Sequence, residues 1–379
     1  TGTLATDILV SAAQPWITAA VLIKTASMPL HYWLIESYTA VSPGVATLLS
    51  GFATKVGVLT AARLVRFTPL DLPVLAYAGA GIAVIAVLFA VFQHNARRLL
   101  SYHIVSQVGY MTAGIGLAAA SSAADHAAAL AVTAGLFHLV SNTLYKSLLF
   151  MTAAAAYRSF GHENLLHMGG LARRRPVLFV CSLIGAGAIA GVPFTIGYAS
   201  KELLKTAAGN TPIAIILTIA GIGTGVSFIK FIYLIFLAPG STGAAPLHTG
   251  NSRTHRELLY MLPTVLLSAI VLVLGFAPGI LPGIPTMDFF TLPAIGKATL
   301  PLAAAAGLWL LAKGHLTKPG RTGTKTEVES SRLQSPRTAW LTQHTWPLRH
   351  LARVVHALDP QIQMIVLLAA VTGLTLMLL

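Results

Sequence analysis

The apolar run from residue 127 to residue 157, AAALAVTAGLFHLVSNTLYKSLLFMTAAAAY, decides the fold. It exceeds the roughly 20 helical residues that cross a ~30 Å hydrocarbon core. In lipid only a helix or a closed barrel satisfies its own backbone, and a run of this length predicts a helix. His138, Asn142 and Lys146 follow one another at intervals of four residues, so they line one face of that helix. The run therefore predicts a membrane-spanning helix with ionisable side chains at bilayer depth.

Composition extends this interpretation to the whole chain. Of 379 residues, 55% are hydrophobic and only 9% are charged, whereas soluble domains are about a quarter charged. We therefore predict an all-α membrane protein with about ten transmembrane helices. The apolar runs that predict them are residues 9–34, 42–62, 72–92, 98–120, 127–157, 176–207, 211–238, 256–280, 295–312 and 361–379.

Arginine and lysine predict the orientation of the chain. If the connections between these runs are numbered in order, and basic residues near the ends of the runs are counted with them, the odd-numbered connections hold sixteen Lys and Arg residues and the even-numbered ones hold four. Cytoplasmic connections carry the excess of basic residues. We therefore expect the odd connections in the cytoplasm and both chain ends on the opposite face. Because the basic residues follow the membrane topology, the net charge of +14 does not indicate nucleic-acid binding.

Five further lysines lie inside the apolar runs and not between them. A lysine at the bilayer centre costs at least about 2.5 kcal/mol, so such residues are rare and usually functional. Glu202 is the one carboxylate that we place within a run, so most of these lysines lack an acidic partner in this chain. Either burial keeps them partly neutral or another polypeptide supplies the partner. The five are Lys24, Lys55, Lys146, Lys201 and Lys230. For Lys230, snorkelling to the membrane surface is an equally good explanation.

Helix breakers accompany three of the buried lysines. Pro29 follows Lys24 by five residues, and a run of glycines with Pro193 precedes Lys201. Pro43 and Gly44 open the run that carries Lys55. Broken helices with ionisable residues at the break form the midplane ion sites of transporters. The alternative is that proline and glycine are simply frequent in membrane helices.

The row of His138, Asn142 and Lys146 predicts a chain of water and titratable groups. Histidine titrates near neutral pH and passes protons between its two ring nitrogens. The alternative is a row of interhelical hydrogen bonds without transport.

Five stretches resemble one known family. They are Lys24-Thr-Ala-Ser-Met-Pro-Leu-His-Tyr-Trp-Leu34, Ser42-Pro-Gly-Val with Lys55, the stretch 95–110 (NARRLLSYHIVSQVGY), Phe137-His-Leu with 145–150 (YKSLLF), and Gly191-Val-Pro with Ser200-Lys201-Glu202. Their order and spacing over residues 9–238 are similar to the antiporter-like proton-pumping subunits of respiratory complex I. That family includes Mrp-type cation/proton antiporters and membrane-bound hydrogenases, and the closest likeness is to the D-subunit group of the Mrp-type antiporters.

This resemblance implies a fold of 14 core helices with two inverted five-helix repeats, each supplying half of a proton path. It assigns Lys24 to the centre of the first half and Lys55 to the connection between the halves. His138 and Lys146 would link the second half, and Lys201 would end it. His31 also falls on a family position, at a helix end.

The chain departs from the family in several places. The first six spans are absent from this sequence, and with them the glutamate expected to pair with Lys24. Asn142 stands where many members have a second histidine, so water would have to bridge His138 to Lys146. Ser50 replaces a histidine of some members, and Asn95 replaces a frequent aspartate.

The resemblance divides the chain into five parts. Residues 1–66 would be the last two spans of a truncated first repeat, 67–238 a complete second repeat with broken helices, and 239–313 two further spans. Residues 314–360 are expected to form a cytoplasmic linker with an amphipathic, basic surface helix, and 361–379 a final span.

No nucleotide-binding loop, CxxC motif, metal-ligand cluster or hydrolytic triad is recognisable in the sequence. We therefore expect no cofactor and no metal in this chain, and whether it belongs to an enzyme complex such as an NADH:quinone oxidoreductase stays open.

Three hypotheses remain. The first is proton translocation across the inner membrane through Lys24, Lys55, His138, Lys146 and Lys201, within a larger membrane complex. The second is Na⁺/H⁺ exchange, with Glu202 and freed carbonyls as Na⁺ ligands. The third is a membrane scaffold that docks partner subunits without conducting.

Overall fold

In a computed structural model of the chain, the structure describes residues 16–17, 19–64, 72–119, 126–239, 253–285 and 289–317. Every regular element in these ranges is a helix. Nearly all of the predicted linker and surface helix (314–360), and the whole of the predicted final span (361–379), lie outside the described residues. The division of the chain into repeats stays a prediction.

The helices form at the apolar runs. In chain order they are α1 (Tyr32–Ala40), α2 (Pro43–Leu64), α3 (Leu72–Phe92), α4 (Ala96–Ala119), α5 (His126–Phe160), α6 (Leu171–Arg174), α7 (Pro176–Ala190), α8 (Ile196–Ala208), α9 (Pro212–Ile232), α10 (Arg253–Phe276) and α11 (Leu292–Leu316). Residues 19–24 are helical as well, and a π-helical turn, Tyr233–Leu237, continues α9. The end of α11 lies three residues beyond the boundary that we expected at 313.

Five of these helices are long and apolar enough to cross a membrane. They span Pro43–Arg63, Val74–Phe92, Ala127–Phe160, Pro212–Leu237 and Leu292–Leu316, and α7 and part of α10 are shorter apolar helices. Two of the expected spans do not appear among these five helices, each for a clear reason. The run 176–207 is divided between α7 and α8, and α4 is made less apolar by its arginines and by Ser, His and Gln residues. The figure of about ten spans and the inverted repeat are therefore not confirmed.

Proline sets the beginning of several helices. Pro43, Pro176 and Pro212 stand at the first helical position of α2, α7 and α9. The N–H that proline lacks is not needed there, because the first N–H groups of a helix have no partner within it. The prediction that Pro43 opens the helix of Lys55 is confirmed.

Glycine brings α3 and α4 into backbone contact. A Cβ atom at Gly79 would lie 2.6 Å from the Ala113 nitrogen, and one at Gly116 would lie 2.4 Å from the Ala76 nitrogen. Small residues at such interfaces allow membrane helices to approach closely. Next to this pair lies α5, which also contacts α2, α7, α8 and α10 and so occupies the centre of the bundle.

Arg97 and Arg98 gather three connections at one face of the bundle. Arg97 pairs with Glu163, which follows α5, and also donates to the carbonyl oxygens of Tyr38 and Val41 before α2. Arg98 pairs with Glu36 of α1 at 2.7 Å. The first, third and fifth connections therefore meet on the same side of the bundle, and which side of the membrane this is stays a prediction.

Candidate functional site

A break interrupts the chain directly after Lys24. The helical residues end there, and Ala26 adopts a left-handed conformation with φ 55°. Trp33 Nε1 donates to the Ile23 carbonyl oxygen at 2.8 Å, beside the Ala26 N–H, which donates to the same oxygen at 3.0 Å. The break that Pro29 predicts is thus present, and α1 begins beyond it at Tyr32.

A second break separates α7 from α8. Gly191 ends α7 with φ 90°, and the Thr195 side chain accepts from the Tyr198 N–H at the start of α8. A Cβ atom at Gly197 would lie 1.9 Å from the Ala188 carbonyl oxygen. The first turn of α8 therefore rests directly on the last turn of α7, as the glycine run predicts.

Lys201 extends across this second break. Its side chain is buried, and Nζ donates to the Ile189 carbonyl oxygen at 2.5 Å. The carbonyl groups of a helix C-terminus carry partial negative charge, so the end of α7 stabilises the ammonium form of Lys201. Nζ also lies 5.2 Å from the centre of the Tyr110 ring, where a cation is attracted to the aromatic face.

His138 is the centre of a buried hydrogen-bond network. Its Nδ1 lies 3.0 Å from Ser200 Oγ, and its Nε2 lies 3.0 Å from Gln107 Oε1. Tyr145 donates to the same Gln107 oxygen at 3.0 Å and accepts from Asn142 at 3.1 Å. Because an amide oxygen only accepts, this network assigns the proton of neutral His138 to Nε2. Nδ1 then carries no proton and faces the Ser200 hydroxyl, which also lies 3.2 Å from the Gly197 carbonyl oxygen. The network joins α4, α5 and α8.

Lys146 lies on α5, two helical turns from His138. Its side chain is fully buried, and Nζ donates to the Leu100 carbonyl oxygen of α4 at 3.0 Å. Nζ also lies 5.7 Å from the centre of the Phe228 ring of α9. The predicted row of His138, Asn142 and Lys146 is buried in the middle of the bundle.

Lys55 and Lys230 are buried as well, and both donate to backbone carbonyls. Lys55 Nζ bonds the Ser50 carbonyl oxygen on its own helix. Lys230 Nζ bonds the carbonyl oxygens of Val91 and Gln93, at 2.6 Å for Gln93. Lys230 therefore caps the end of α3 at the face where Arg97 lies. This contact explains the burial of Lys230 without a role in ion transfer.

Three predicted residues lie differently. Lys24 is exposed, at the last helical residue before the first break. His31 is near the surface, with Nδ1 3.3 Å from the Pro29 carbonyl oxygen. Glu202 pairs with Lys205 at 2.7 Å and not with its neighbour Lys201. The predicted roles of Lys24, His31 and Glu202 stay predictions.

The side chain of Lys201 lines a cavity beside α8. Polar side chains from α4, α8 and α9 line it, namely Tyr110, Tyr198, Lys201, Glu202, Lys205 and Thr218. The ion pair of Glu202 and Lys205 therefore lies at the same cavity as the buried Lys201 ammonium. This cavity gives a polar route from Lys201 away from the core of the bundle.

Two polar residues of the core were not predicted as site residues. Gln107 holds both His138 and Tyr145, and His103 is completely buried on the same helix face. Their spacing of four residues within 95–110 was the available signal. We did not predict His103 and Gln107 as site residues because we interpreted the 98–120 run by its apolar residues alone.

The buried cations have no acidic partners in the described part of the chain. Lys55, Lys146, Lys201 and Lys230 all donate to backbone carbonyls there, and no carboxylate pairs with them. Within the same ranges no three His, Cys, Asp or Glu side chains are grouped as metal ligands are. Chemically, the arrangement can hold and exchange protons on Lys and His.

Comparison with known proteins agrees with this geometry. Residues 3–227 match the family described as "NADH:quinone oxidoreductase/Mrp antiporter, TM". The chain is 33% identical over 263 residues to the D subunit of the Na(+)/H(+) antiporter of Alkalihalophilus pseudofirmus, covering 67% of this chain and 50% of the relative. It is 29% identical over 284 residues to the L subunit of the NADH-quinone oxidoreductase of Pseudomonas aeruginosa, covering 70% and 43%. The chain thus spans half or less of the length of these relatives.

Solved structures share the fold. A chain of the Mrp complex from a Dietzia species superimposes with a TM-score of 0.61 at 25% identity, covering 79% of this chain and 60% of that one. A chain of respiratory complex I from Thermus thermophilus gives 0.59 at 23% identity, covering 76% and 57%. With its helical bundle, its apolar spans and a match over more than half its length, the chain belongs to the NADH:quinone oxidoreductase/Mrp antiporter transmembrane family.

Proposed function

We propose that this chain translocates protons across the inner membrane as an antiporter-like subunit of a larger membrane complex. The observation that carries the proposal is the burial of Lys55, Lys146 and Lys201 without carboxylate partners in the described residues. Burying a cation without a carboxylate partner is costly, and this cost favours release of the proton, whereas the carbonyl contacts keep the ammonium form accessible. Buried lysines of this kind act as proton carriers.

The proposed path runs through Lys24, Lys55, the pair His138 and Lys146, and finally Lys201. Protonation of one buried group lowers the proton affinity of its neighbours, so the groups titrate as a coupled set. Protons then move stepwise along the row and leave from Lys201 by way of its cavity. The partner half of the Lys24 site would come from residues outside this sequence or from another polypeptide of the complex.

Substitution by methionine tests the path, since methionine keeps most of the length of lysine and removes its charge. In the full protein in its native complex, we expect Lys146→Met and Lys201→Met each to abolish proton flux into membrane vesicles. The matched control is Lys297→Met, because Lys297 is exposed on α11. Normal flux in both buried variants would exclude this path. If assembly also stayed normal, the scaffold hypothesis would be the better one.

Na⁺/H⁺ exchange is the second candidate, favoured by the 33% identity to a protein named as the D subunit of a Na(+)/H(+) antiporter. Under this hypothesis Glu202 would bind Na⁺ in the cavity beside Lys201, and Na⁺ would compete with the Lys205 ammonium for its carboxylate. Glu202→Gln should then remove Na⁺-dependent transport, whereas Lys205→Met should raise apparent Na⁺ affinity. Proton flux that is independent of Na⁺ in both variants would favour simple proton translocation.

The proposed orientation places the odd-numbered connections in the cytoplasm, with the lipid bilayer around the apolar spans. The relatives are named as subunits, so we expect partner membrane subunits here too. Orientation can be tested with single cysteines read by an impermeant thiol reagent, since the one native cysteine, Cys181, is buried. A cysteine at Gln93 should react from the cytoplasmic side and one at Gly209 from the opposite side. The reverse pattern would overturn this orientation.

A further inference from the structure

His103 is a buried ionisable side chain that the proposed path does not use. It is completely buried on α4, and neither of its ring nitrogens has a hydrogen-bond partner in the described part of the chain. Leaving a buried polar group without a partner is unfavourable. Buried polar groups are nearly always satisfied by protein or by ordered water, so both nitrogens of His103 need partners that the neighbouring side chains do not supply.

The position of His103 on α4 lies between two parts of the path. Leu100, three residues earlier, supplies the carbonyl that accepts from Lys146 Nζ at 3.0 Å. Gln107, four residues later, supplies the amide oxygen 3.0 Å from His138 Nε2. Residues spaced by three and four share one helix face. His103 is therefore about 4.5 Å along the axis from the Lys146 contact and about 6 Å from the His138 contact.

The surroundings of His103 also connect it to Lys146. The Phe228 ring centre lies 4.7 Å from that of His103 and 5.7 Å from Lys146 Nζ, so both groups pack on one ring. The hydroxyls of Ser147 and Ser227, next in sequence to Lys146 and Phe228, are buried and without partners in the described residues. Such polar groups offer the several hydrogen bonds that a buried water needs.

On α5 itself, the row between His138 and Lys146 is interrupted. Asn142 occupies the middle position, and its amide neither gains nor loses a proton near neutral pH. Its nitrogen is engaged with Tyr145, and its oxygen has no partner in the described ranges. Position 142 of α5, between His138 and Lys146, thus lacks a titratable side chain, whereas the facing helix α4 supplies His103.

We propose that His103 relays protons between Lys146 and His138 across the α4–α5 interface. A proton leaves the Lys146 ammonium through an intervening water and bonds to one ring nitrogen of neutral His103. The resulting imidazolium releases the proton of its other nitrogen through water to Nδ1 of neutral His138, because Nε2 already carries a proton, and the Ser200 hydroxyl turns to donate to the Gly197 carbonyl oxygen. Lys146 becomes neutral, His138 becomes charged, and His103 is left neutral as its other tautomer, which a ring flip returns to the starting one. No electrons are exchanged.

The test replaces His103 by asparagine, which is polar but does not titrate, in the full protein within its native complex. This inference rests on the proposed function, so Lys201→Met is measured beside it. Flux is expressed per assembled complex in vesicles. We expect His103→Asn to lower proton flux roughly tenfold or more, as loss of a proton-transfer group does. The matched control is Thr152→Val, which alters a buried polar residue of α5 outside the network.

A second variant separates a relay from a purely structural role. Adding Asn142→His to His103→Asn restores a titratable group between His138 and Lys146, so it should recover flux. If His103→Asn lowered flux only by disturbing the packing of α4, a second substitution on α5 would not restore the flux. Normal flux in His103→Asn together with lost flux in Lys201→Met would overturn the relay and keep the proposed function. Failure of the double variant to recover flux would also overturn the relay. Normal flux in every variant, Lys201→Met included, would overturn the proposed function itself.

Discussion

The ammonium nitrogen of Lys201 lies 2.5 Å from the carbonyl oxygen of Ile189, so a lysine of α8 binds the last turn of α7. In the chain, the two helices are connected by the break at residues 191–195. The position of this charge therefore depends on the geometry of the break as much as on α8. Gly197, whose missing side chain lets the helices touch, is part of the same arrangement.

We expect Lys201→Met to leave folding stability nearly unchanged, although it should abolish flux. Removing a buried charge removes its desolvation cost, and the lost carbonyl contact offsets this gain to within about 1 kcal/mol. The measurement is thermal unfolding of the purified complex with and without the substitution. A loss of several kcal/mol would instead show that the Lys201 contact holds α7 and α8 together.

Two glycines of α3 should respond differently to alanine. Gly79→Ala places a methyl group 2.6 Å from the Ala113 nitrogen of α4, whereas Gly81→Ala meets nothing within 4 Å. Overpacking costs typically about 1–3 kcal/mol, so Gly79→Ala should lower the unfolding temperature or the amount of assembled protein. Gly81→Ala is the control and should match the parent protein. Equal stability of the two variants would contradict the close contact of α3 and α4.

Arg97 and Arg98 are adjacent but should contribute unequally. The Arg97–Glu163 pair has side chains only 11% and 10% exposed, against 43% and 42% for Arg98–Glu36. Breaking a buried pair costs about 3–5 kcal/mol, and an exposed pair contributes about 0–1 kcal/mol. Arg97→Ala should therefore impair assembly strongly and Arg98→Ala weakly. Immunoblotting of membranes, followed by unfolding of the purified variants, measures the difference.

His162 should make the connection after α5 sensitive to acid. Partial burial, and then the charge of His167, lower the pKa of His162. A lowered pKa means that the unfolded chain binds more protons than the folded one, so stability falls as pH falls below the ordinary value of about 6.5. Hydrogen exchange of residues 158–167, taken relative to the intrinsic amide rate at each pH, should rise as the pH falls from 7 to 5. His162→Gln should reduce that rise, and His315→Gln, at an exposed histidine, should not.

Gln107 should act on transport through His138 and Tyr145. Gln107→Leu removes the oxygen that lies 3.0 Å from each of them, so His138 loses its orientation and its tautomer is no longer fixed. We expect proton flux to fall roughly tenfold at unchanged assembly. Tyr145→Phe removes one of the two contacts and should have a smaller effect. If Gln107→Leu conducted normally, the network would be structural only.

The sequence predicted the helices and their breaks well, because both have local causes. Apolar runs fix the spans, and Pro29 and the glycines before Pro193 fix the two breaks. The ion pair of Glu202 with Lys205 was also accessible, since residues three apart meet on a helix. We instead considered Glu202 only as a candidate Na⁺ ligand.

The partners of the buried lysines could not be predicted from sequence. Each lysine donates to a carbonyl that depends on packing, such as Leu100 for Lys146 or Gln93 for Lys230. A backbone carbonyl carries no sequence signature, unlike a carboxylate. The exposure of Lys24 similarly follows from which surfaces of the helices are covered by neighbours, and not from its apolar surroundings in the sequence.

The backbone contact between α3 and α4 also has a mechanical meaning. Where Gly79 and Gly116 remove the side chains, the two helices have no flexible layer between them. Close-packed interiors resist compression and transmit displacement, so α3 and α4 shift as one stiff block. Lys230 of α9 is attached to the end of α3 and Gln107 lies on α4, so this block joins the two contacts.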